Sequence, residues 1–193
     1  KDDGTRAVSE TTKNLGKVAP DWTMGISNTL RYRNLSLSFL IDVRYGGVMY
    51  SGTVSDLRVN GMAEETIGKN RTDIVDKGVK QDGTENTTAI TPYQFWSNNY
   101  SSKVSEANVF DATFVKLREM VLSYQMPQRW FKNCFIGSLA LGVEGRNLWL
   151  MKSNVPHIDP ETNIFGPSAV GSGVEYSAIP TTRSWGFNIK LTF

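Results

Sequence analysis

The chain has 193 residues, of which 39% are hydrophobic and 21% charged, and 21 Lys and Arg against 19 Asp and Glu leave a formal charge of +2. This balance does not indicate a nucleic-acid or strongly anionic partner, and the hydrophobic share excludes a disordered chain. No apolar run approaches the roughly 18 residues of a transmembrane helix, but alternating strands of a membrane β-barrel would also give a polar average. The single Cys excludes an internal disulfide framework. Because the chain begins at Lys1 and carries no signal peptide, we expect a piece of a longer precursor.

Two neighbouring segments near the N-terminus alternate between apolar and polar residues. From residue 22 to 33 the large apolar side chains occupy even positions, and from residue 34 to 46 they occupy odd positions with the exception of Leu40. Because successive side chains point to opposite faces of a strand, each segment has one apolar face. Arg33 and Asn34 connect the two segments, and Asn tolerates the positive φ of a tight turn. The pattern predicts an antiparallel hairpin of two long strands.

Three further segments show the same alternation, over residues 112–126, 135–149 and 182–193. In the first of these the apolar phase changes near Arg118 and Glu119. Two explanations remain open: a β-bulge shifts the phase, or the second half of the strand lies beyond the apolar band. The sequence therefore predicts about five antiparallel strands and an all-β fold.

The connections between the predicted strands alternate in length. Those after the first and third strands are short, whereas those after the second and fourth strands span residues 47–110 and 150–181. Outer-membrane barrels have short periplasmic turns and long extracellular loops, and their tilted strands need roughly 9–11 residues to cross the bilayer. Aromatic residues near strand ends fit an interfacial girdle: Trp22, Tyr32, Tyr45, Trp149, Trp185 and Phe193. Because five strands cannot close a barrel, the remaining strands must come from other sequence.

Five sequence blocks in a fixed order add a family resemblance. They are GKVAPDW at 16–22, NLSLSF at 34–39 with RYGG at 44–47, FDATFVKLRE at 110–119 with LSY at 122–124, GRNLW at 145–149 with IDPE at 158–161, and the segment 180–193. Together they resemble the C-terminal part of a SusC/RagA-type TonB-dependent outer-membrane transporter of the Bacteroidetes.

That resemblance implies a β-barrel of twenty-two strands in the outer membrane of a Gram-negative bacterium. The barrel would enclose an N-terminal plug, absent from this chain, and import oligosaccharides, glycans or peptides. The implied partners are TonB, acting through the absent N-terminal region, a SusD-like surface lipoprotein, the barrel-assembly machinery and the lipid bilayer. The resemblance implies no enzymatic activity, and no cofactor, metal or nucleic acid is expected. The sequence does not identify the nutrient.

The alternation and the resemblance also predict roles for particular residues. Polar side chains opposite the lipid-facing set should face the lumen or plug, namely Arg31, Asp42, Arg44, Glu144, Arg146 and Lys190. In the loop 47–110, aromatic side chains are candidate ligand contacts or, equally, the loop's own core: Tyr93, Trp96 and Tyr100. The alternating C-terminal residues resemble the signal for barrel assembly: Ile189, Leu191 and Phe193.

No catalytic constellation accompanies these patterns. His157 is the only histidine, and Asp159 and Glu161 flank a proline in a segment that suits a turn better than acid–base chemistry. A passive porin is an alternative with the same barrel and no plug. A secreted carbohydrate-binding β-sandwich is a second one, with Asn-x-Ser/Thr sequences at Asn34, Asn70, Asn86 and Asn99.

Overall fold

The computed structural model describes residues 1–69, 72–132, 135–166 and 172–193, so Asn70 lies outside the described residues. The described elements are, in chain order, β1 (Trp22–Tyr32), β2 (Leu35–Tyr45), β3 (Val48–Ser51), α1 (Gly52–Val59), β4 (Ile74–Val75), β5 (Ala89–Ile90), α2 (Pro92–Tyr100), β6 (Val109–Asp111), β7 (Phe114–Gln125), β8 (Ser138–Ser153), β9 (Val174–Glu175) and β10 (Ser184–Thr192). They belong to two compact units. No helix in the described ranges is long and apolar enough to span a membrane.

One unit, here called the sheet unit, consists of residues 20–46, 112–154 and 181–193. Its five strands form an antiparallel sheet in the order β1-β2-β7-β8-β10, which confirms the predicted strand number and direction. The predicted bounds of the fourth strand, 135–149, were wrong, because β8 begins at Ser138 and continues to Ser153. Its extra residues pair with the first half of β7, where Phe114 lies opposite Ser153.

The strand register keeps apolar residues on one face of the sheet. Directly opposite residues of an antiparallel pair share a face, so each row of partners can be followed across all five strands. One row contains Leu30, Leu37, Leu122, Val143 and Phe187. The next contains Tyr32, Leu35, Tyr124, Leu141 and Ile189. The row between them lies on the other face and contains Arg31, Ser36, Ser123, Gly142 and Asn188. We call the two sides the apolar face and the polar face.

A β-bulge at Arg118 explains the change of phase in the third predicted strand. Leu40 and Ile41 of β2 lie opposite Glu119 and Leu117, so that Arg118 has no residue opposite it. On β8, Arg146 lies opposite Glu119 and Trp149 lies opposite Leu117. The two residues between them, Asn147 and Leu148, have no residue opposite them on β7, and Asn147 has a φ of 51°. The first of the two sequence explanations is therefore correct. The bulge returns Leu117 to the apolar face.

The β1–β2 turn differs in one detail from the prediction. The positive φ, 53°, belongs to Arg33 and not to Asn34. The Asn34 side chain instead bridges to the next hairpin, since its Nδ2 donates to the Gln125 carbonyl at 2.7 Å, while Gln125 N donates to the Asn34 carbonyl at 2.8 Å. These two bonds fix neighbouring turns to one another.

The second unit, here called the loop unit, contains residues 1–19, 47–111 and 155–180. The two segments predicted as loops therefore fold together with the N-terminal segment. The second loop was predicted to begin at residue 150, but it begins after Ser153 because β8 is longer than predicted. β3 pairs with β6 and β9, and β4 pairs with β5. Buried apolar residues give this unit its own core, namely Met49, Val54, Ala63, Ile90, Trp96 and Val155.

Local sequence starts both helices of the loop unit. The Ser51 hydroxyl accepts a hydrogen bond from Val54 N and caps α1. Thr91 and Gln94 form a reciprocal capping box ahead of α2, whose first residue is Pro92. Buried Glu175 of β9 accepts hydrogen bonds from the Ser51 and Thr53 hydroxyls, both at 2.6 Å. The cap of α1 is thereby tied to β9.

Candidate functional site

The six residues predicted to face a lumen all lie on the polar face of the sheet unit. Their positions follow from the register: Arg31 opposite Ser36, Asp42 opposite Gly25 and Lys116, Arg44 opposite Thr23 and Phe114, Glu144 opposite Val121 and Gly186, Arg146 opposite Glu119 and Ser184, and Lys190 opposite Ala140. Glu144 and Arg146 approach each other at 4.0 Å in an exposed position, where such a pair contributes little stability.

The strongest polar contacts on this face involve residues that the sequence analysis did not select. Arg118 forms an ion pair with Asp42 and donates from Nη1 to Asn147 Oδ1 at 3.2 Å. Asn147 in turn donates from Nδ2 to the Thr182 carbonyl at 3.1 Å. Arg118 and Asn147 both belong to the bulge, so the change of phase in the sequence was the signal that could have identified them.

Lys116 is a second residue that sequence reasoning missed. It is only 3% exposed, and its Nζ donates to Thr181 Oγ1 at 3.0 Å. Alternation alone places it on the polar face but does not predict burial. Within the described strands, the charged residues of this face are six cations and three anions: Arg31, Arg44, Lys116, Arg118, Arg146 and Lys190 against Asp42, Glu119 and Glu144. The polar face is therefore cationic.

The three aromatic candidates of the loop unit occupy different environments. Trp96 is 4% exposed and packs against Phe95 and Tyr100, with ring centroids 5.2 and 4.8 Å away. Tyr93, one turn earlier on α2, is 67% exposed. Trp96 and Tyr100 are therefore part of a buried cluster, whereas Tyr93 presents its ring to the surface.

An arginine on α1 connects this cluster with three other segments. Arg58 donates to Glu65 Oε1 at 2.6 Å and to the Ala107 carbonyl at 2.8 Å. Its guanidinium also lies 5.1 Å from the ring centroid of Tyr100 and 5.3 Å from that of Phe110. Cation–π contacts and charged hydrogen bonds of this kind are strong when partly shielded from water. Arg58 thereby holds α1 against the end of α2.

Glu65 extends the Arg58 cluster to the only histidine. His157 Nε2 lies 2.7 Å from Glu65 Oε2, and the two side chains are 20% and 32% exposed. Burial alone raises the pKa of Glu65. This effect is outweighed by hydrogen bonds to the Glu65 carboxylate from Arg58, from the Glu65 backbone and from His157, and by the positive charge of Arg58. Together they lower the pKa of Glu65 from 4.5 to about 2. His157 is thus a structural partner of Glu65.

A cleft of about 730 Å³ opens between residues 6–15 and residues 98–107 of the loop unit. Two residues of its lining are held by Asp76, which accepts two hydrogen bonds from Arg6 at 2.6 and 2.8 Å and one from Asn99 Nδ2 at 3.2 Å. Asn99 is buried, and its Oδ1 has no hydrogen-bond partner among the described residues. Tyr100 also lines this cleft. The size of the cleft is that of a typical small-ligand site.

The C-terminal residues proposed as an assembly signal lie on the apolar face. Ile189 and Leu191 lie opposite Leu141 and Leu139 of β8. The ring of Phe193 stacks on that of Phe135, with centroids 5.8 Å apart and an interplanar angle of 5°. β10 thus extends the apolar face of the sheet beyond β8.

Substitutions on α2 should separate the core aromatic from the exposed one. We expect Trp96→Ala to destabilise the loop unit by about 3–5 kcal/mol, because it leaves a cavity in the core. Tyr93→Ala should change the stability by less than about 0.5 kcal/mol, because its ring is exposed. Hydrogen exchange of peptides from residues 92–108, followed by mass spectrometry, measures both effects. Equal protection in the two variants would contradict this assignment.

The Glu65 cluster should make the loop unit sensitive to acid. Because the folded-state pKa lies below 4.5, the carboxylate stabilises the fold above that pH, and the contribution is lost as the pH falls from 4.5 towards about 2. Glu65→Gln should cost about 2 kcal/mol at neutral pH and should flatten this acid dependence. Glu64→Gln, at the exposed neighbouring position, is the matched control. Hydrogen exchange over residues 57–67 as a function of pH tests both expectations.

Comparison with models of known protein families finds no match. Among curated proteins, the chain is similar to TonB-dependent receptor P3 of Formosa agariphila, with 25% identity over 196 residues and 99% of this chain covered. It is also similar to TonB-dependent receptor P26 of the same organism, with 26% identity over 182 residues and 93% covered. The chain spans only 18% of the length of each relative.

Among solved structures, the fold is similar to the RagAB peptide importer in two states. The closed-closed state gives a TM-score of 0.61 at 20% identity and covers 94% of this chain and 18% of that one. The open-open state gives 0.59 at 18% identity, covering 91% and 17%. The likeness shows that the sheet has the fold of part of a β-barrel wall. The curated relatives confirm the resemblance of this chain to part of a TonB-dependent receptor.

Proposed function

We propose that this chain forms part of the wall and of the external loops of an outer-membrane TonB-dependent importer of nutrients. The observation that carries the proposal is the apolar face of the sheet unit, which is apolar in every row apart from Asn28 and, near the long-loop end, Lys152. Its rows contain side chains that remain largely exposed within the chain, including Leu30 at 57% and Phe187 at 85%. Strands β1 and β2 have 11 residues each, enough to cross the hydrocarbon core when tilted. A bilayer covers such a face without any further protein.

The polar face would then line the lumen of the barrel. Charged groups there can be hydrated or paired, whereas on the lipid side they would be left without partners. The ion pair between Arg118 and Asp42 and the buried Lys116 show that this face already satisfies part of its charge internally. Its excess of cations favours contact with acidic groups of a plug or with polar cargo. Arg31 and Lys190 are exposed candidates for such contacts.

In this proposal the loop unit faces the outside of the cell and contributes to the capture of nutrient. The cleft beside Tyr100 and the exposed ring of Tyr93 are the candidate ligand contacts. TonB would act through a region outside this chain, and a SusD-like lipoprotein would assist at the surface. The cleft is lined by apolar side chains together with amide, hydroxyl and charged groups of both signs, a mixture that a peptide or a glycan fits.

Fractionation of the native protein tests the proposal as a whole. Peptides of this chain should appear in the outer-membrane fraction within a much longer polypeptide, and a surface lipoprotein should purify with it. A passive porin would instead be found without a plug domain in that polypeptide. A carbohydrate-binding β-sandwich would appear as a water-soluble protein, because a second sheet would have to cover the apolar face.

A pair of adjacent substitutions tests which face meets the lipid. Leu122 lies on the apolar face and Ser123 on the polar face of β7. In the full-length protein we expect Leu122→Arg to cost about 1–2 kcal/mol, because the penalty of a cation falls from about 2–4 kcal/mol at the bilayer centre towards the interface, and Leu122 lies one row of the apolar face from the short-turn end. Ser123→Arg should be nearly neutral. Unfolding by guanidinium in lipid vesicles gives both values, and a larger loss at Ser123 would reverse the proposed orientation.

Removal of the last strand should prevent barrel formation. We expect the full-length protein without residues 184–193 to lose the heat-modifiable migration of a folded barrel in gel electrophoresis, because β8 would be left with an unpaired edge. Lys190→Gln, on the polar face of the same strand, is the control and should migrate like the unaltered protein. Normal migration of the truncated protein would rule out this role of β10.

A further inference from the structure

At the short-turn end of the sheet unit, where the β1–β2 turn and the β7–β8 connection lie, the charged side chains are all cationic. The described chain segments that meet there are 30–36, 124–132, 135–138 and 188–193, and they contain no Asp or Glu. Their cations are all exposed: Arg31, Arg33, Arg129, Lys132 and Lys190. No ion pair joins any of the five to the residues that the structure describes. Elsewhere on the sheet, by contrast, Arg118 is paired with Asp42.

Three of these cations lie in neighbouring turns. Arg33 is in the β1–β2 turn, and the two hydrogen bonds between Asn34 and Gln125 fix this turn to the end of β7. Arg129 follows in the short 3-10 helix Gln128–Trp130, and Lys132 lies two residues beyond it. Arg31 and Lys190 instead occupy rows of the polar face. The turn cations are therefore the ones at the rim of the sheet.

Exposed aromatic side chains accompany the three turn cations. The Arg33 guanidinium lies 5.4 Å from the ring centroid of Tyr32, whose ring belongs to the apolar face. Trp130 is 61% exposed, and the stacked pair of Phe135 and Phe193 is 78% and 79% exposed. Aromatic rings next to basic groups are typical of the boundary between hydrocarbon and headgroups.

From this arrangement we propose that Arg33, Arg129 and Lys132 bind the phosphate groups of anionic phospholipids in the leaflet at the short-turn end. The inference rests on the proposed membrane orientation. The cations lie just past the last row of the apolar face, where the lipid phosphates begin. The aromatic side chains beside them need an apolar partner, which acyl chains provide and free phosphate does not. Each cation near an anionic surface strengthens binding roughly five-fold.

Lipid retention by the full-length protein tests this surface. The protein is reconstituted in nanodiscs with equal amounts of phosphatidylglycerol and phosphatidylcholine, extracted with mild detergent, and analysed for bound lipid by native mass spectrometry. One variant combines Arg33→Gln, Arg129→Gln and Lys132→Gln. The matched control removes three exposed cations of the loop unit, with Lys69→Gln, Lys77→Gln and Lys103→Gln. A single Lys132→Gln variant guards against a folding defect in the triple variant.

Preferential retention of phosphatidylglycerol is expected for the unaltered protein and for the control. The triple variant should lose this preference on the order of 100-fold, and Lys132→Gln alone roughly five-fold. Unchanged retention in both variants, or an equal loss in the control, would overturn the proposal. Displacement of the lipid by millimolar inorganic phosphate would assign the cations to free phosphate and also overturn it. Heat-modifiable migration is recorded for every sample, so that a failure of the barrel itself is distinguished from a barrel that binds no anionic lipid.

Discussion

The structure depends first on the hydrogen-bond register of the five long strands. Side chains alternate with a period of two, so a slip of one residue on any strand would move its apolar set to the opposite face. The observed register keeps Leu30, Leu37 and Leu122 in one row, and the row continues through β8 and β10. This continuity across five strands makes one face suitable for hydrocarbon and leaves the other for polar groups.

The bulge at Arg118 serves both faces at once. Without it, the apolar positions at the two ends of β7 would fall on opposite sides of the sheet, since their phases differ by one residue. The extra residue restores Leu117 to the apolar face. It also brings Arg118 to Asp42 on the polar face and places Asn147 to bridge β7 and Thr182. A local irregularity of the ladder thus corrects the pattern and supplies a charged contact.

The loop unit is stabilised in a different way. Its apolar core is small, and its segments are joined largely by buried or half-buried polar groups, each with several partners. Arg58 joins Glu65, the end of α2 and two aromatic rings, while Glu175 joins the first residues of α1 to β9. Such networks order a chain that contains little regular structure. Asp76 plays the same role beside the cleft, where it fixes Arg6 and Asn99.

The sequence by itself determined the five strands, their antiparallel order and their two faces, because alternation is local and can be counted residue by residue. It placed Arg31 and Asp42 on one face for the same reason. Only the tertiary structure decided that β8 extends to Ser153, that Arg118 pairs with Asp42, and that Trp96 is core whereas Tyr93 is exposed. These features depend on contacts between residues far apart in the chain, which no local period encodes.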